Sequence, residues 1–260
     1  MTDYASDMKT PPGRSPGTAA SRPDSLALDK AFEALKTYDA GSSRGTLEPI
    51  DTEILAALAD ARRRQEVERR LADLLGTDAS IWAKEYACSK LRLIGGAASV
   101  NTLFPLLADR QLSDAARSAL QAMRCPEATR ALRDALAKLT GAPRLGVIDS
   151  LGKRGDAGSV PALVRWLERP DTATAAAAAG ALGEIGTVKA ARAIRRFLSA
   201  CPEAMRLVVA DTCLTCAERL AAAGNRDEAR EMGRALDTSA YPAHVRFAAT
   251  RLLSGAAPPK

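Results

Sequence analysis

The sequence predicts an all-α fold, an α-solenoid of stacked helix pairs with an N-terminal helical cap. Alanine accounts for 54 of the 260 residues, while aromatic residues make up only 4%, a composition typical of closely packed helices rather than of β-sheets. From residue 80 onward a pattern of two helices returns about every 30 residues, which is the period of an α-solenoid. No apolar run reaches the roughly 18 residues that a membrane span requires.

Four segments are expected along the chain. Residues 1–24 combine proline and glycine with serine, threonine and aspartate, and we expect a disordered N-terminal segment there. Residues 25–79 are expected to form the N-terminal helical cap, because an open stack of repeats must cover its end. Residues 80–255 are expected to form the solenoid, with about five or six helix pairs, and residues 256–260 a disordered tail.

The cap region is predicted to hold two helices. The first follows Asp24 and Ser25, either of which can cap it. Its apolar face is formed by Leu28, Phe32 and Leu35. The second begins at Asp51 and stops at Gly76. Its apolar stripe is interrupted at Arg62–Arg70, so a break between two helices near this stretch is the alternative.

The repeats share a fixed register. Ser150–Gly155 returns 31 residues later as Ala181–Gly186, and Val160–Leu167 returns at the same offset as Ala191–Leu198. Each unit is therefore a helix, a glycine-containing turn and a second helix. One position of the first helix is the predicted core position of the repeat, and it is occupied by Leu91, Leu120, Leu151, Leu182 and Cys213. The alanines at 176–179 would let neighbouring helices approach closely.

These repeats resemble the HEAT-repeat family, in particular the short bacterial type known as phycobilisome-lyase HEAT-like repeats. The family's inner helix reads approximately Val-Arg-x-x-Ala-Ala-x-Ala-Leu-Gly-x-Ile-Gly, which Thr174–Gly186 matches best and whose start Val245 and Arg246 restore. Residues 94–100 and 213–218 are similar to segments of uncharacterised bacterial HEAT-repeat proteins. The resemblance covers roughly residues 80–255, and it implies a binding scaffold and no particular reaction.

The register leads to a hypothesis about partner binding. In HEAT units the position after the Val of the inner helix can face the concave surface, and here it is occupied by Lys84, Ser113, Arg144, Ala175, Arg206 and Arg246. Five residues further on, two of the repeats carry Asp149 and Asp211. We therefore expect the four basic residues and the two aspartates to bind an acidic or phosphorylated protein partner. The alternative is that the arginines pair with these aspartates, or with carboxylates of neighbouring repeats, and only tie the repeats together.

No catalytic or metal site is predicted. Cys213 and Cys216 share a helical face, but structural zinc needs about four ligands. There is no second Cys-x-x-Cys, and the one histidine is His244. Cys213 also occupies the core position, so we interpret the pair as buried and inert. The sequence contains no motif of serine hydrolases, P-loops or dinucleotide-binding units. We expect no cofactor, no metal and no enzymatic activity.

The net charge is +6, and the positive excess lies in residues 111–260. Nucleic-acid binding through this basic C-terminal half is therefore an alternative function, and the existence of HEAT-like DNA glycosylases with basic concave surfaces keeps it open. Within Arg62–Arg70, however, Glu66 and Glu68 interleave the arginines and no aromatic residue accompanies them. We interpret this cluster as a solvated helix face, and we read the basic run at 192–196 in the same way.

The sequence thus indicates a non-catalytic protein–protein interaction scaffold or adaptor that binds its partner on the concave face. The resemblance adds the alternative of a lyase-type accessory protein for a chromophore-bearing partner, and a purely structural element of a larger complex is a further one. The first residues show neither the basic region nor the apolar run of a signal peptide. A cytoplasmic location without membrane contact is therefore expected.

Overall fold

The structure is a computed structural model that describes residues 25–169 and 171–254. These residues form 14 α-helices and no strand. The helices are α1 Ser25–Lys36, α2 Glu48–Ala57, α3 Ala61–Leu75, α4 Ile81–Ile94, α5 Ala97–Leu106, α6 Ser113–Ala122, α7 Pro126–Lys138, α8 Gly141–Lys153, α9 Val160–Leu167, α10 Thr172–Ile185, α11 Val188–Leu198, α12 Arg206–Ala222, α13 Arg226–Leu236 and α14 Ala243–Ser254. Short 3-10 helices precede α2, α9 and α12. The predictions for residues 1–24 and 256–260 fall outside the described residues.

From α4 onward the helices alternate between two rows. The inner row holds α4, α6, α8, α10, α12 and α14, and each of these helices packs on the next. The outer row holds α5, α7, α9, α11 and α13. Contact between successive outer helices is looser, and between α7 and α9 it is at most marginal. The inner row is the more closely packed of the two, and we therefore assign the concave side of the solenoid to it. The predicted all-α solenoid is confirmed.

The predicted core register is also confirmed. The side chains at the core position, Leu91, Leu120, Leu151, Leu182 and Cys213, are fully buried. They belong to one continuous apolar cluster that runs from α1 to α14. One helix pair exposes an apolar stripe on each side, so burial of these residues depends on the neighbouring pairs.

Two glycines let the inner helices approach one another at backbone distance. A Cβ atom on Gly152 would lie 2.7 Å from the Cα atom of Ala181, and one on Gly183 would lie 3.0 Å from the backbone oxygen of Thr212. Both are shorter than the roughly 3.5–4.0 Å of an ordinary carbon contact. Gly186 has a different role, since it ends α10 with a backbone φ of +60°, which residues with a side chain rarely adopt.

The N-terminal region contains three α-helices rather than the two predicted. The long second helix is interrupted before Asp60, whose side chain accepts hydrogen bonds from the backbone N–H groups of Arg62 (2.9 Å) and Arg63 (3.2 Å) and so starts α3. These bonds, led by the one from Arg63, lower the pKa of Asp60. Helix α3 packs on α4 and α5, and α2 contacts α4. The pair α2–α3 therefore continues the two rows, and α1 covers it.

The Arg62–Arg70 stretch is only partly the solvated face that was predicted. Glu68 is buried, and its Oε1 atom accepts hydrogen bonds from the backbone N–H of Gly96 (2.7 Å) and from the N–H (3.1 Å) and hydroxyl (2.9 Å) of Ser99. Gly96 precedes α5 and has no side chain with which to cap it. A residue of α3 thus caps the N-terminus of α5.

Three of the arginines of α3, namely Arg63, Arg69 and Arg70, are engaged in ion pairs. Arg69 pairs with Asp73 at 2.7 Å on the same helix, and Arg70 pairs with Asp29 of α1 at 2.8 Å. The guanidinium of Arg70 also lies 3.9 Å from the centre of the Phe32 ring. These arginines therefore stabilise the first helices of the stack.

Polar side chains also join one repeat to the next. Arg154, at the end of α8, donates hydrogen bonds to the backbone carbonyls of Leu120 (2.9 Å) and Gln121 (2.8 Å) at the end of α6. Arg133 of α7 pairs with Asp156 ahead of α9, with 2.6 Å between Nε and Oδ2. Burial raises the pKa of Asp156, but hydrogen bonds from Arg133 and Ser159 outweigh it and hold the pKa below its usual range.

Candidate binding groove on the inner helices

Helical geometry decides which residues of the inner row face the concave surface. At about 100° per residue, positions two or six residues before the core position, and two after it, point away from the core. We call these the outward positions of α4, α6, α8, α10 and α12. Each of the fifteen is exposed or half-exposed.

A groove runs over α10, between α8 and α12. Its lining residues are Asp149, Ala177, Gly180, Ala181, Glu184, Val208, Asp211, Thr212 and Thr215. The floor consists of the small residues of α10, and a Cβ atom on Gly180 would meet nothing within 4 Å. The walls carry the longer side chains of the two flanking helices.

The groove is acidic, although the protein as a whole is basic. Asp149 projects from α8 and forms an exposed ion pair with Lys153 at 2.8 Å. Glu184 projects from α10 and pairs with Arg219 of α12. Asp211 projects from α12, and across the described parts of the chain it has no cation within ion-pair distance.

The acidic character extends over the outward positions of the inner row. Five of these positions are acidic, namely Glu85, Asp114, Asp149, Glu184 and Asp211. The basic residue among them is Lys153. The outer helix α11 shows the opposite balance, with Lys189, Arg192, Arg195 and Arg196 and no acid. The outward positions of these inner helices and the outer helix α11 therefore carry opposite charge.

Large apolar side chains are exposed on the same face. Leu207 (51% exposed) and Val208 lie on α12, Phe247 (68%) lies on α14, and Trp82 and Leu93 lie on α4. The register places Leu207 and Phe247 at equivalent positions of adjacent inner helices. In the described residues, the outer-row helices expose no large apolar side chain. The further exposed leucines belong to the N-terminal region: Leu26, Leu55 and Leu58.

The structure brings only two of the six predicted binding residues into the groove, Asp149 and Asp211. The basic positions lie seven residues before the core position, which is about two helical turns and therefore the same face as the core. Ala175 at this position is accordingly buried. Lys84 is half-buried on α4, while Arg206 and Arg246 are exposed near the starts of α12 and α14.

Arg144 acts between helices rather than in the groove. Its Nε atom donates a hydrogen bond to the backbone carbonyl of Leu139 at 2.6 Å, and its guanidinium lies 4.1 Å from the centre of the Trp166 ring. The contact with Leu139 ties α8 to the end of α7, and the contact with Trp166 ties α8 to α9. Arg144 thus joins neighbouring helices, but through a backbone carbonyl and an aromatic ring rather than through the carboxylates that the alternative named.

The basic cluster on α11 is paired as well. Arg196 pairs with Glu168 after α9 at 2.7 Å, and Arg195 lies 3.4 Å from Glu228 and from Glu231 of α13.

Glu184 is the charged residue of the groove that was not predicted from the sequence. A signal for it was present, because it lies two residues after the core leucine of the best-matching repeat.

The cysteines lie where the repeat register placed them. Cys213 and Cys216 are fully buried. Burial raises the pKa of Cys216 to about 12 and also raises the pKa of Cys213.

Within the described part of the chain, no group of three or more His, Cys, Asp or Glu side chains could hold a metal ion. None of the described helices is long and apolar enough to span a membrane.

Comparison with known proteins bears on the family. No curated protein matches the sequence. A chain of the CpcE–CpcF complex of phycocyanin lyase from Nostoc sp. PCC7120 is 17% identical, with a TM-score of 0.41, over 96% of this chain and 99% of that one. Human deoxyhypusine hydroxylase is 15% identical, with a TM-score of 0.36, over 88% of this chain and 95% of that one. The family described as HEAT repeats matches residues 129–214, which run from α7 into α12. The helix pairs of this stretch match the HEAT-repeat model, in agreement with the sequence motif.

Proposed function

We propose that this protein is a non-catalytic scaffold that binds a protein partner on the concave face of its inner helices. One observation carries the proposal: the large apolar side chains that are exposed from α4 onward lie on the inner row. Single exposed apolar residues are normal on a protein surface, but their concentration on one face is typical of an interaction site. The outer helices come from the same alanine- and leucine-rich sequence, so composition alone does not explain the difference.

The architecture supports this role. Solenoids present an extended concave surface, and HEAT-repeat proteins are mostly binding scaffolds. The groove over α10 adds a floor of small residues that a partner backbone can approach closely. The proposal covers both an adaptor and an accessory protein for a chromophore-bearing partner, since each would use the same face for a different partner protein.

The charges favour a protein over a nucleic acid. A phosphate backbone would meet Asp149, Glu184 and Asp211 in the groove, and like charges repel it. On the outer row, Arg195 and Arg196 are already paired with carboxylates of neighbouring helices.

Site-specific photo-crosslinking in the native cell tests the proposal. A benzoylphenylalanine residue would replace Leu207 in one variant and Phe247 in another, with Lys189 of the outer row as the control position. We expect both inner positions to crosslink to the same protein and the control position to give no such product. An equal yield at Lys189, or no product at either inner position, would refute the proposal.

A further inference from the structure

We propose that the partner segment on this concave face is basic, with lysine or arginine beside apolar side chains. This inference rests on the proposed function and adds the chemistry of the partner. The exposed face of α12, with Leu207 and Val208, is the apolar part of the surface. The carboxylates of Asp149, Glu184 and Asp211 border it. An occupant that covers the apolar side chains therefore comes within reach of these carboxylates and must carry complementary charge.

The distribution of charge argues that this is not an accident of composition. The sequence has more basic than acidic residues, with a net charge of +6. The outward positions of α4, α6, α8, α10 and α12 nevertheless hold five acids against the single base Lys153. An acidic or phosphorylated partner would therefore meet carboxylates from α4 to α12. The repulsion would be strongest at Asp211, because Asp114, Asp149 and Glu184 each pair with a cation of an inner helix.

The carboxylates of the groove are available to a partner. The Asp149–Lys153 pair joins residues four apart on one helix, and both side chains are about half exposed. Such surface pairs contribute little to stability, so an incoming cation can replace Lys153. Asp211 needs no such exchange, since within the described ranges it has no ion-pair partner. The groove therefore offers one carboxylate ready for a partner and a second that a partner can take over.

The helix spacing sets the length of the segment. Asp149 and Asp211 lie on α8 and α12, two inner layers apart, which corresponds to about 16–20 Å at the usual helix spacing. An extended chain covers this distance with about six residues. The inference is therefore a segment with two basic residues about six positions apart. An apolar side chain between them would lie over Ala177 and Gly180.

Fluorescence anisotropy with a designed probe tests the chemistry. The probe is a labelled synthetic peptide that carries two arginines six positions apart with leucine between them, and its counterpart has glutamate in place of both arginines. We expect the arginine peptide to bind the full chain and the glutamate peptide not to bind. The double substitution Asp149→Asn and Asp211→Asn should weaken binding by about fivefold or more. The control is Asp134→Asn, at an exposed position of the outer helix α7, and it should leave the affinity unchanged.

The outcomes separate this inference from the proposed function. Equal binding of both peptides, no binding of the arginine peptide, or unchanged affinity in the double variant would overturn the inference. Mass spectrometry of the product crosslinked at Leu207 reads the charge of the natural segment directly. An acidic segment there would also refute the inference while the concave-face scaffold stands. Absence of any product at the inner positions would instead refute the scaffold.

Discussion

The close approach of α8 and α10 makes Gly152 a sensitive position. In Gly152→Ala the new Cβ atom would lie 2.7 Å from the Cα atom of Ala181 and 3.0 Å from its Cβ atom, about 1 Å closer than carbon atoms pack. The backbone of α10 cannot move aside as a flexible side chain could, so α8 and α10 must separate to accommodate the new methyl group. Overpacking of this kind costs about 1–3 kcal/mol. The better helix propensity of alanine returns at most about 1 kcal/mol.

Gly180→Ala is the matched control, because Gly180 lies in α10 with open space around it. There the propensity gain of about 1 kcal/mol should stand alone, and the variant should be more stable than the parent. The two variants should therefore differ by about 1–3 kcal/mol in free energy of unfolding, which is a difference of several degrees in melting temperature. Urea and thermal unfolding followed by circular dichroism at 222 nm measure both. Equal stability of the two variants would show that α8 and α10 are not in backbone contact.

Three further variants test contacts between helices. Arg144→Ala should lower the free energy of unfolding by about 1–2 kcal/mol, because it removes a hydrogen bond and a cation–π contact. Arg206→Ala, at the equivalent but exposed position of α12, should change it by less than about 0.5 kcal/mol. Equal effects of the two substitutions would contradict a role of Arg144 in joining neighbouring helices. Glu68→Ala leaves N–H groups at the start of α5 without an acceptor and should cost about 2–4 kcal/mol. The exposed Glu66→Ala loses only a surface ion pair with Arg69 and should cost less than about 0.5 kcal/mol. The lowered pKa of Asp156 means that its carboxylate adds stability above the unfolded-state pKa of about 4. That contribution is lost as the pH falls through the folded-state value, so acid unfolding curves of the parent and Asp156→Asn should converge at low pH; a constant gap would exclude this linkage.

The sequence predicted the periodic part of the fold well, because a repeat places the same residue at the same depth in each layer. Leu151 and Leu182 identify the core position, and the five core residues aligned by this register are all fully buried. The break before α3 was signalled by Asp60, which is a good capping residue, but the leucines on either side suggested one continuous helix. The cap that Glu68 provides for α5 could not be read locally, since its acceptor bonds reach residues 28 and 31 positions away.

The binding surface was harder to predict than the core, and the reason is angular. The repeat position seven residues before the core leucine lies on the core side of the helix, while the position two residues before it faces outward. Arg144 occupies the first of these positions and therefore contacts Leu139 and Trp166. Asp149 and Asp211 occupy the second position and line the groove. Composition pointed to a basic protein, and only the register showed that the inner face is acidic.

The helix ends that are capped by a neighbouring repeat have a consequence for how the chain unfolds. The end of α6 depends on Arg154 from the following layer, and the start of α5 depends on Glu68 from the preceding one. Neither end keeps its hydrogen bonds if the adjacent layer opens, so the smallest cooperative unit is larger than one repeat. Native-state hydrogen exchange should then show the amides at the start of α5 opening together with α3, and not with the remainder of their own helix.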